Sequence, residues 1–339
     1  MYLIAGGAGF LGLNTAKALA AAGEDVVITT RRRSDPLAAQ VVAESKGRVS
    51  LEVVDLNNDH EVYNLLSRHD FQGVVHTATN HMFAQSRSAN FTSYNMLFNT
   101  LEAAMAFGVK RFVLASSQVV YRGHPGPWRE DVAFDADASE ILGDLLKFVP
   151  SFEVTFKRVL EMVTLDYGVP IKAWDRAPSA ARRTPRPQLE TAVVRFATQC
   201  GPYYTSMYNP TACLAHALAH GHDSLPPDRA LRPINDIAYV RDNADGLATV
   251  LLAERLPHRI YNVSSDLRVT GAEIAQAAHR VAPEAAQRLG LKPEEQAAGT
   301  TTEYFDVSRM KDDFGWTPKF NSIDAMLGDY VEWLSEHSH

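Results

Sequence analysis

The 339-residue chain is poor in cysteine, with only Cys200 and Cys213. Two thiols exclude a disulfide framework and a cysteine-rich metal site. Both read as small buried hydrophobes in a reducing compartment, which sets a cytoplasmic expectation. No apolar run reaches the roughly 20 residues a membrane-spanning helix needs, so no membrane partner is expected. Strand-like residues begin at once in Met1-Tyr2-Leu3-Ile4-Ala5, leaving the expectation that no leader peptide precedes the fold. An excess of positive charge is missing too. The 33 basic residues are outnumbered by 40 acidic ones, a net charge of −7, which argues against a nucleic-acid partner. Internal repeats are absent, which excludes a solenoid.

What is present is an ordinary globular balance, 46% apolar and 22% charged. The length fits one cofactor domain with a smaller substrate-binding portion. In the first half, short β-branched runs alternate with amphipathic segments, the pattern of a parallel sheet covered by helices. Strands are expected at Tyr2–Ala5, Val26–Thr29, Leu51–Val54, Gly73–His76 and Arg111–Ala115, and another at Ala192–Phe196. An alanine-rich helix, Leu13–Ala22, closes on Gly23. Two longer helices are expected over Phe91–Phe107 and Phe152–Tyr167. The first has Tyr94, Leu97, Phe98, Leu101 and Met105 on its apolar side; the second has Phe156, Leu160 and Val163. These two helices either form the contact of a homodimer or simply pack on the core. The second half is less regular. Lys172, Arg176, Arg182, Arg183 and Arg186, set among prolines and alanines, mark residues 172–190 as an inserted basic loop or hairpin. It is open whether this is an anion-binding lid or a solvated surface. A last helix is expected at Ile323–Leu334.

Between the first strand and the first helix lies Gly6-Gly7-Ala8-Gly9-Phe10-Leu11-Gly12. Gly6 permits a tight turn, Gly9 lets the backbone approach a pyrophosphate, and Gly12 lets the helix pack on the strand. The phosphates then meet the positive end of the helix. The end of the second strand decides between cofactors. An NAD site usually has an acid there, whereas this chain has Thr30 followed by Arg31, Arg32 and Arg33. An arginine pairs with a 2′-phosphate that a carboxylate would repel, so NADP is expected and NAD is disfavoured. A solvated basic loop is the other reading of the same residues. Asp55, ending the third strand, either meets the adenine amino group or forms a turn.

These residues resemble the extended short-chain dehydrogenase/reductase family, the NAD(P)-dependent epimerase/dehydratase type. Besides the glycine loop, the resemblance rests on His76-Thr77-Ala78, Val109-Lys110-Arg111-Phe112-Val113, Ala115-Ser116-Ser117 and Val120-Tyr121. It continues through Arg195, Gly201-Pro202, Tyr239-Val240-Arg241-Asp242, Tyr261-Asn262-Val263 and Gly315-Trp316-Thr317-Pro318. It implies an α/β fold, a Rossmann-type doubly wound parallel sheet with a smaller, discontinuous C-terminal substrate-binding domain. Residues 1–171, 191–202 and 239–263 would form the NADP-binding domain. Residues 203–238 and 264–339 would mainly bind substrate. The resemblance also implies that Phe10, Leu11, Leu56, Thr77, Ala78, Thr79 and Thr198 line the cofactor, with Gln199 nearby.

The family's catalytic set is Ser or Thr followed by Tyr-x-x-x-Lys. The resemblance places the serine at Ser117 and the lysine at Lys157, with Glu161 four residues on. The tyrosine position holds Glu153, a departure at the residue that normally moves the proton. Three readings stay open. Glu153 is the acid/base; or it is a salt-bridge partner of Lys157 or Arg158, with His81, Tyr121, His124 or Tyr167 doing the chemistry; or the protein binds cofactor without turnover. The arginine that meets the diphosphate in nucleotide-sugar members is replaced by Asn235, with Arg232 three residues earlier. The leading expectation is an NADP-dependent oxidoreductase or epimerase acting on a hydroxyl or carbonyl of a polar small molecule. The alternatives are a nucleotide-sugar epimerase or dehydratase with internal hydride recycling, and a non-catalytic NADP-binding or redox-sensing protein.

Overall fold

The computed structural model describes residues 1–79, 87–132, 151–169, 189–205, 209–221, 234–292 and 303–337. Seven strands form one parallel sheet in the order β3-β2-β1-β4-β5-β6-β9. They are β1 (Tyr2–Ala5), β2 (Val26–Thr30), β3 (Val49–Val53), β4 (Gly73–His76), β5 (Arg111–Ala115), β6 (Glu190–Phe196) and β9 (Ile260–Val263). Three shorter strands form a second sheet in the order β10-β8-β7. Here β7 (Thr198–Cys200) runs parallel to β8 (Ile234–Tyr239), and β10 (Leu267–Val269) runs antiparallel to it.

The apolar runs of the central strands are long because both faces are covered. Along β1 the side chains alternate. Ile4 belongs to the core shared with Leu13, Val113, Val194 and Leu247, while Leu3 and Ala5 join Leu97, Leu101, Phe112 and Leu160. On the first face lie α1 (Phe10–Ala21) and α7 (Val240–Leu252); on the second lie α4 (Arg87–Ala106) and α5 (Ser151–Tyr167). The remaining helices of the cofactor half are α2 (Pro36–Glu44), which has Asp35 as N-cap, and α3 (Asp59–Ser67). After β7 come α6 (Pro210–His220), α8 (Gly271–Val281), α9 (Pro283–Arg288), α10 (Ser308–Phe314) and α11 (Ile323–Glu336). Gly315 ends α10 with φ +66°, and Trp316 Nε1 then donates to Asp245 Oδ2 at 2.9 Å, docking the tail on α7.

Several boundaries differ from the sequence reading. Helix α1 begins three residues earlier than expected, since Gly9 serves as a backbone N-cap; its own cap is Ala22, with Gly23 at φ +91° just beyond. Strand β6 starts at Glu190, inside the segment expected to be a loop, because Arg111 on β5 pairs with Glu190 at 2.6 Å. Residues 172–188 lie outside the described residues. Thr198–Cys200, expected in the cofactor domain, pairs with β8 in the small sheet, and Tyr239 ends that same sheet. Phe98, expected on the buried side of α4, is 41% exposed, while Met96, Leu97 and Leu101 are buried. Helices α6 to α10 give the second half more regular structure than its sequence pattern implied.

Candidate active site

The order of the large sheet reverses direction at β1 and β4, where crossovers leave to opposite sides and a crevice opens at the carboxyl ends of the strands. Gly6 sits there with φ +82°, and a Cβ on it would come within 2.7 Å of the Ala78 backbone. A Cβ on Gly12 would meet Gly7 Cα at 2.5 Å, so the first turn of α1 lies directly on the loop. Gly9 differs: its Cβ would meet only the Gly6 carbonyl, at 3.3 Å, and otherwise space. The helix that follows has neither a capping side chain nor an acidic residue in its first turn. Its amino-terminal N–H groups therefore face that space with their partial positive charge, the fit a pyrophosphate needs. Gly6 N donates to Thr29 Oγ1 at 2.9 Å, and Thr77 Oγ1 donates to Ala5 O at 3.1 Å, which fixes the loop to both neighbouring strands.

At the end of β2, Thr30 is buried and its Oγ1 accepts from Arg32 N at 3.1 Å. That turn sends Arg31, Arg32 and Arg33 to the surface. Arg32 approaches Asp35 at only 4.0 Å, while Arg31 and Arg33 make no ion pair among the described residues. Asp55 Oδ1 accepts from Asn57 N at 3.0 Å, so Asp55 does close a turn. Leu56 is buried beside it, its carbonyl held by Asn99 Nδ2 at 3.0 Å. The remaining residues of the expected cofactor wall, Thr77, Ala78 and Thr79, follow β4 around the same crevice.

Ser117 caps a short 3-10 turn, Gln118–Tyr121, directly after β5. Val119 N reaches Ser117 Oγ at 3.4 Å, a long contact that leaves the hydroxyl able to meet another oxygen. Helix α5 is stapled to this turn: Arg158 Nη2 donates to Val120 O at 2.7 Å and to Arg122 O at 3.3 Å. Glu153, Lys157 and Glu161 follow at intervals of four, so they share one face of α5. All three are buried, at 8%, 9% and 0% exposure. Burial raises the Glu153 carboxyl above the ordinary carboxylate range, opposed by the charges of Lys157 and Arg122. Burial likewise lowers the Lys157 ammonium, opposed by Glu153 and Glu161. Among the described residues, no ion pair within 4.0 Å ties Glu153 to Lys157 or to Arg158. Neutral His76 lies near Lys157, its pKa pushed down by burial to about 3.

The candidate substitutes for the missing tyrosine fare differently. Tyr121 is 1% exposed; it accepts from Arg195 Nη1 and donates to Asn262 Oδ1, both at 2.7 Å. Burial pushes its phenol up to about 12, which suits a structural link and not a proton shuttle. Tyr167, at the far end of α5, donates to Glu102 Oε1 at 2.5 Å. It is ten residues from Lys157 on the same helix, a separation of about 15 Å, too far to share its site. His124 is half-buried beyond the 3-10 turn, its carbonyl held by Trp128 Nε1 at 3.0 Å. His81 and Arg232 lie outside the described residues, and Asn235 is described only as part of strand β8.

A small cleft of about 160 Å³ opens beside Ser117, lined by Gln118, Val119, Arg122, Trp128, Thr198, Asp236 and Glu303. Thr198 Oγ1 accepts from Gln118 Nε2 at 2.8 Å, tying the 3-10 turn to β7 of the second sheet at an exposed wall of the cleft. Apart from Thr198, these residues were not singled out from the sequence. Gln118 and Arg122 flank Tyr121 in a segment already marked by Ser117, a signal that was available. Asp236 and Glu303 come from distant segments and are brought in only by the second sheet and by Phe305, whose N donates to Asp236 Oδ2 at 2.6 Å.

Residues 2–138 match the NAD dependent epimerase/dehydratase family. A UDP-glucose 4-epimerase from Lacticaseibacillus casei is 22% identical, over 98% of this chain and 96% of its own length. Two solved structures share the fold, each at 18% identity, with a TM-score of 0.71 and 99% of this chain covered. One is the Bacillus anthracis dTDP-glucose 4,6-dehydratase in complex with NAD, covered over 97% of its length. The other is the Bifidobacterium longum UDP-glucose 4-epimerase in complex with NAD+ and UDP, covered over 98%. Over residues 2–138 this chain is similar to the NAD dependent epimerase/dehydratase family, and over its whole length it shares the fold of these solved structures.

Proposed function

We propose that the protein binds NADP in the crevice between β1, β2 and β4 and acts as an oxidoreductase or epimerase on a polar small molecule. The reacting carbon bears a hydroxyl or carbonyl, and the centre is Ser117, Glu153 and Lys157. The observation that carries this reading is Glu153. It is buried, one helical turn before Lys157, its proton affinity raised by that burial, and without an ion pair among the described residues to neutralise it. A carboxyl in that state holds a proton more readily than an ordinary one, as a group that takes up and returns a proton must.

Bound NADP would supply the hydride acceptor or donor at the reacting carbon. The chain's own residues then manage the oxygen. Ser117 Oγ donates to the substrate oxygen and orients it; Glu153 takes the proton of the hydroxyl in oxidation and returns it in reduction. Lys157 holds the nicotinamide ribose and keeps Glu153 from rising too far. Arg31, with Arg32 beside it, supports NADP over NAD, because both are exposed at the end of β2. Gly6, Gly9, Phe10, Leu11 and Gly12 carry the pyrophosphate, while Thr30, Asp55, Leu56, Thr77, Ala78, Thr79 and Thr198 line the rest.

A second reading, a nucleotide-sugar epimerase or dehydratase with internal hydride recycling, is favoured by the relatives, whose names place them on UDP- and dTDP-sugars. A non-catalytic NADP-binding or redox-sensing role follows if Glu153 moves no proton. Exposed Phe91 and Phe98 on α4, with Met162 on α5, support a homodimer built through those two helices. No described helix is long and apolar enough to cross a membrane, and we place the protein in the cytoplasm.

Replacing Glu153→Gln tests the centre. Turnover, followed by nicotinamide absorbance on a carbonyl and polyol panel and by sugar-product analysis, should fall about 10²–10⁴-fold with NADP affinity unchanged. Retained turnover would remove Glu153 from the mechanism.

A further inference from the structure

The cleft beside Ser117 contains one feature that the proton chemistry leaves unused. Among the described residues, Arg122 is the only cation lining it. Its backbone is pinned on both sides, N donating to Val119 O at 3.1 Å and O accepting from Arg158 at 3.3 Å. The side chain is half-buried, yet its guanidinium makes no hydrogen bond or ion pair among the described residues. The acids nearby do not neutralise it. Asp236 accepts from Ser264 Oγ at 2.5 Å on one oxygen and from Phe305 N at 2.6 Å on the other. Glu303 is exposed at the rim, and Glu153 feels the charge of Arg122 without pairing to it within 4.0 Å. A guanidinium held on a fixed backbone, partly out of water and with its fork of donors unspent, is a receptor for a planar oxyanion.

We infer that Arg122 selects acidic substrates, pairing with a carboxylate carried by the molecule whose hydroxyl or carbonyl reacts at Ser117 and Glu153. This rests on the proposed function and names its substrate class. Two sources of oxyanion fit the chemistry: a carboxylate near the reacting carbon, or a diphosphate farther out. Position favours the carboxylate. Arg122 closes the short turn that Ser117 opens and faces the cleft that begins at Gln118, so an anion bound to it lies on the Ser117 side of the molecule's reacting end.

The test is calorimetric titration of the NADPH-saturated protein with UDP, UDP-glucose, UDP-glucuronic acid, glucose and glucuronate, in the natural chain, Arg122→Gln and Arg122→Lys. In the natural chain, each acid should bind at least about tenfold more tightly than its neutral counterpart. That preference should vanish in Arg122→Gln, survive in part in Arg122→Lys, and leave UDP affinity unchanged. Equal affinity for acid and neutral sugar in both pairs would overturn the assignment. So would a preference that Arg122→Gln leaves intact. If Arg122→Gln weakens UDP as much as UDP-glucuronic acid, the oxyanion is the diphosphate and the carboxylate assignment fails. NADPH binding, read separately by its own fluorescence, reports on the cofactor crevice. Its loss with acid preference intact counts against the proposed function, whereas intact NADPH binding without acid preference counts against Arg122 alone.

Discussion

Replacing Glu161→Gln would test how helix α5 is held. Glu161 and Arg195 form a pair with side chains 0% and 1% exposed, Oε2 accepting from Arg195 Nη2 at 2.7 Å. Oε1 accepts from Arg195 Nε at 3.1 Å and from Ser116 Oγ at 2.5 Å. The amide keeps the shape but removes the charge and turns one acceptor into a donor facing Arg195 or Ser116. Breaking a buried pair from one side typically costs about 3–5 kcal/mol, because the remaining ion keeps its desolvation penalty. An unfolding entropy of about 2.1 cal/mol/K per residue gives about 0.7 kcal/mol/K for 339 residues. The expected fall in Tm is therefore about 4–7 °C by differential scanning calorimetry at pH 7. The double change Glu161→Leu with Arg195→Met should recover most of that loss, since no ion is then stranded. Tyr121 keeps its Asn262 partner in both variants. A loss below about 1 kcal/mol for Glu161→Gln would refute the reasoning, as the pair would then be hydrated or slack. The same change should reach the chemistry. Glu161 supports the ammonium form of Lys157, so the lysine-dependent limb of the pH–rate profile should move to lower pH.

The exposed Arg31 should set cofactor choice: Arg31→Ala is expected to cut the NADP-over-NAD affinity ratio about ten- to hundredfold. Mass spectrometry of nucleotide released from the purified natural protein should find NADP or NADPH, and bound NAD would contradict the reading. Asp236 should make stability depend on pH. Burial raises its carboxyl from 3.8 to about 7, so the folded state holds the proton more tightly than the unfolded one. That contribution is complete below about pH 4 and is lost as pH rises through 7. The upper bound is about 4 kcal/mol. Urea midpoints should thus fall more from pH 5 to 8 in the natural chain than in Asp236→Asn, and parallel profiles would count against it.

How much was legible in the sequence depends on whether the information is local. Strands β1, β4 and β5 have the bounds their residues imply, because an apolar run buried on both faces leaves little choice. The glycine loop was readable for the same reason: its turn, its close approach and its helix all lie within seven residues. Strand β3 was placed two residues late because Ser50 and Glu52 alternate with Val49 and Leu51 at a sheet edge, where one side faces water. Helix α7 went unread because Asp242 and Asn243 are buried on it, which blurs the amphipathic pattern. Asp242 is paired from outside the helix, accepting from Ser265 Oγ at 2.9 Å and Lys319 N at 2.8 Å. No local pattern announces such partners. The cleft is the extreme case, since residues 118, 198, 236 and 303 meet only after two sheets have formed.

On the proposed reading, a carboxyl at position 153 reverses what the lysine would do for a tyrosine there. A phenol begins near pKa 10 and must be lowered to accept a proton near neutrality, so a neighbouring cation activates it. A carboxyl begins near 4.5 and must be raised, so the same cation opposes the shift. Burial therefore has to do the work. At 8% exposure, with no ion pair within 4.0 Å among the described residues, Glu153 is raised despite both Lys157 and Arg122. Lys157 is subject to the same opposition: burial lowers its ammonium, while Glu153 and Glu161, the latter also paired with Arg195, act to raise it. If the proposed Ser-Glu-Lys centre operates, burial replaces the lysine as the source of proton affinity at Glu153, and Lys157 would be left to hold the ribose.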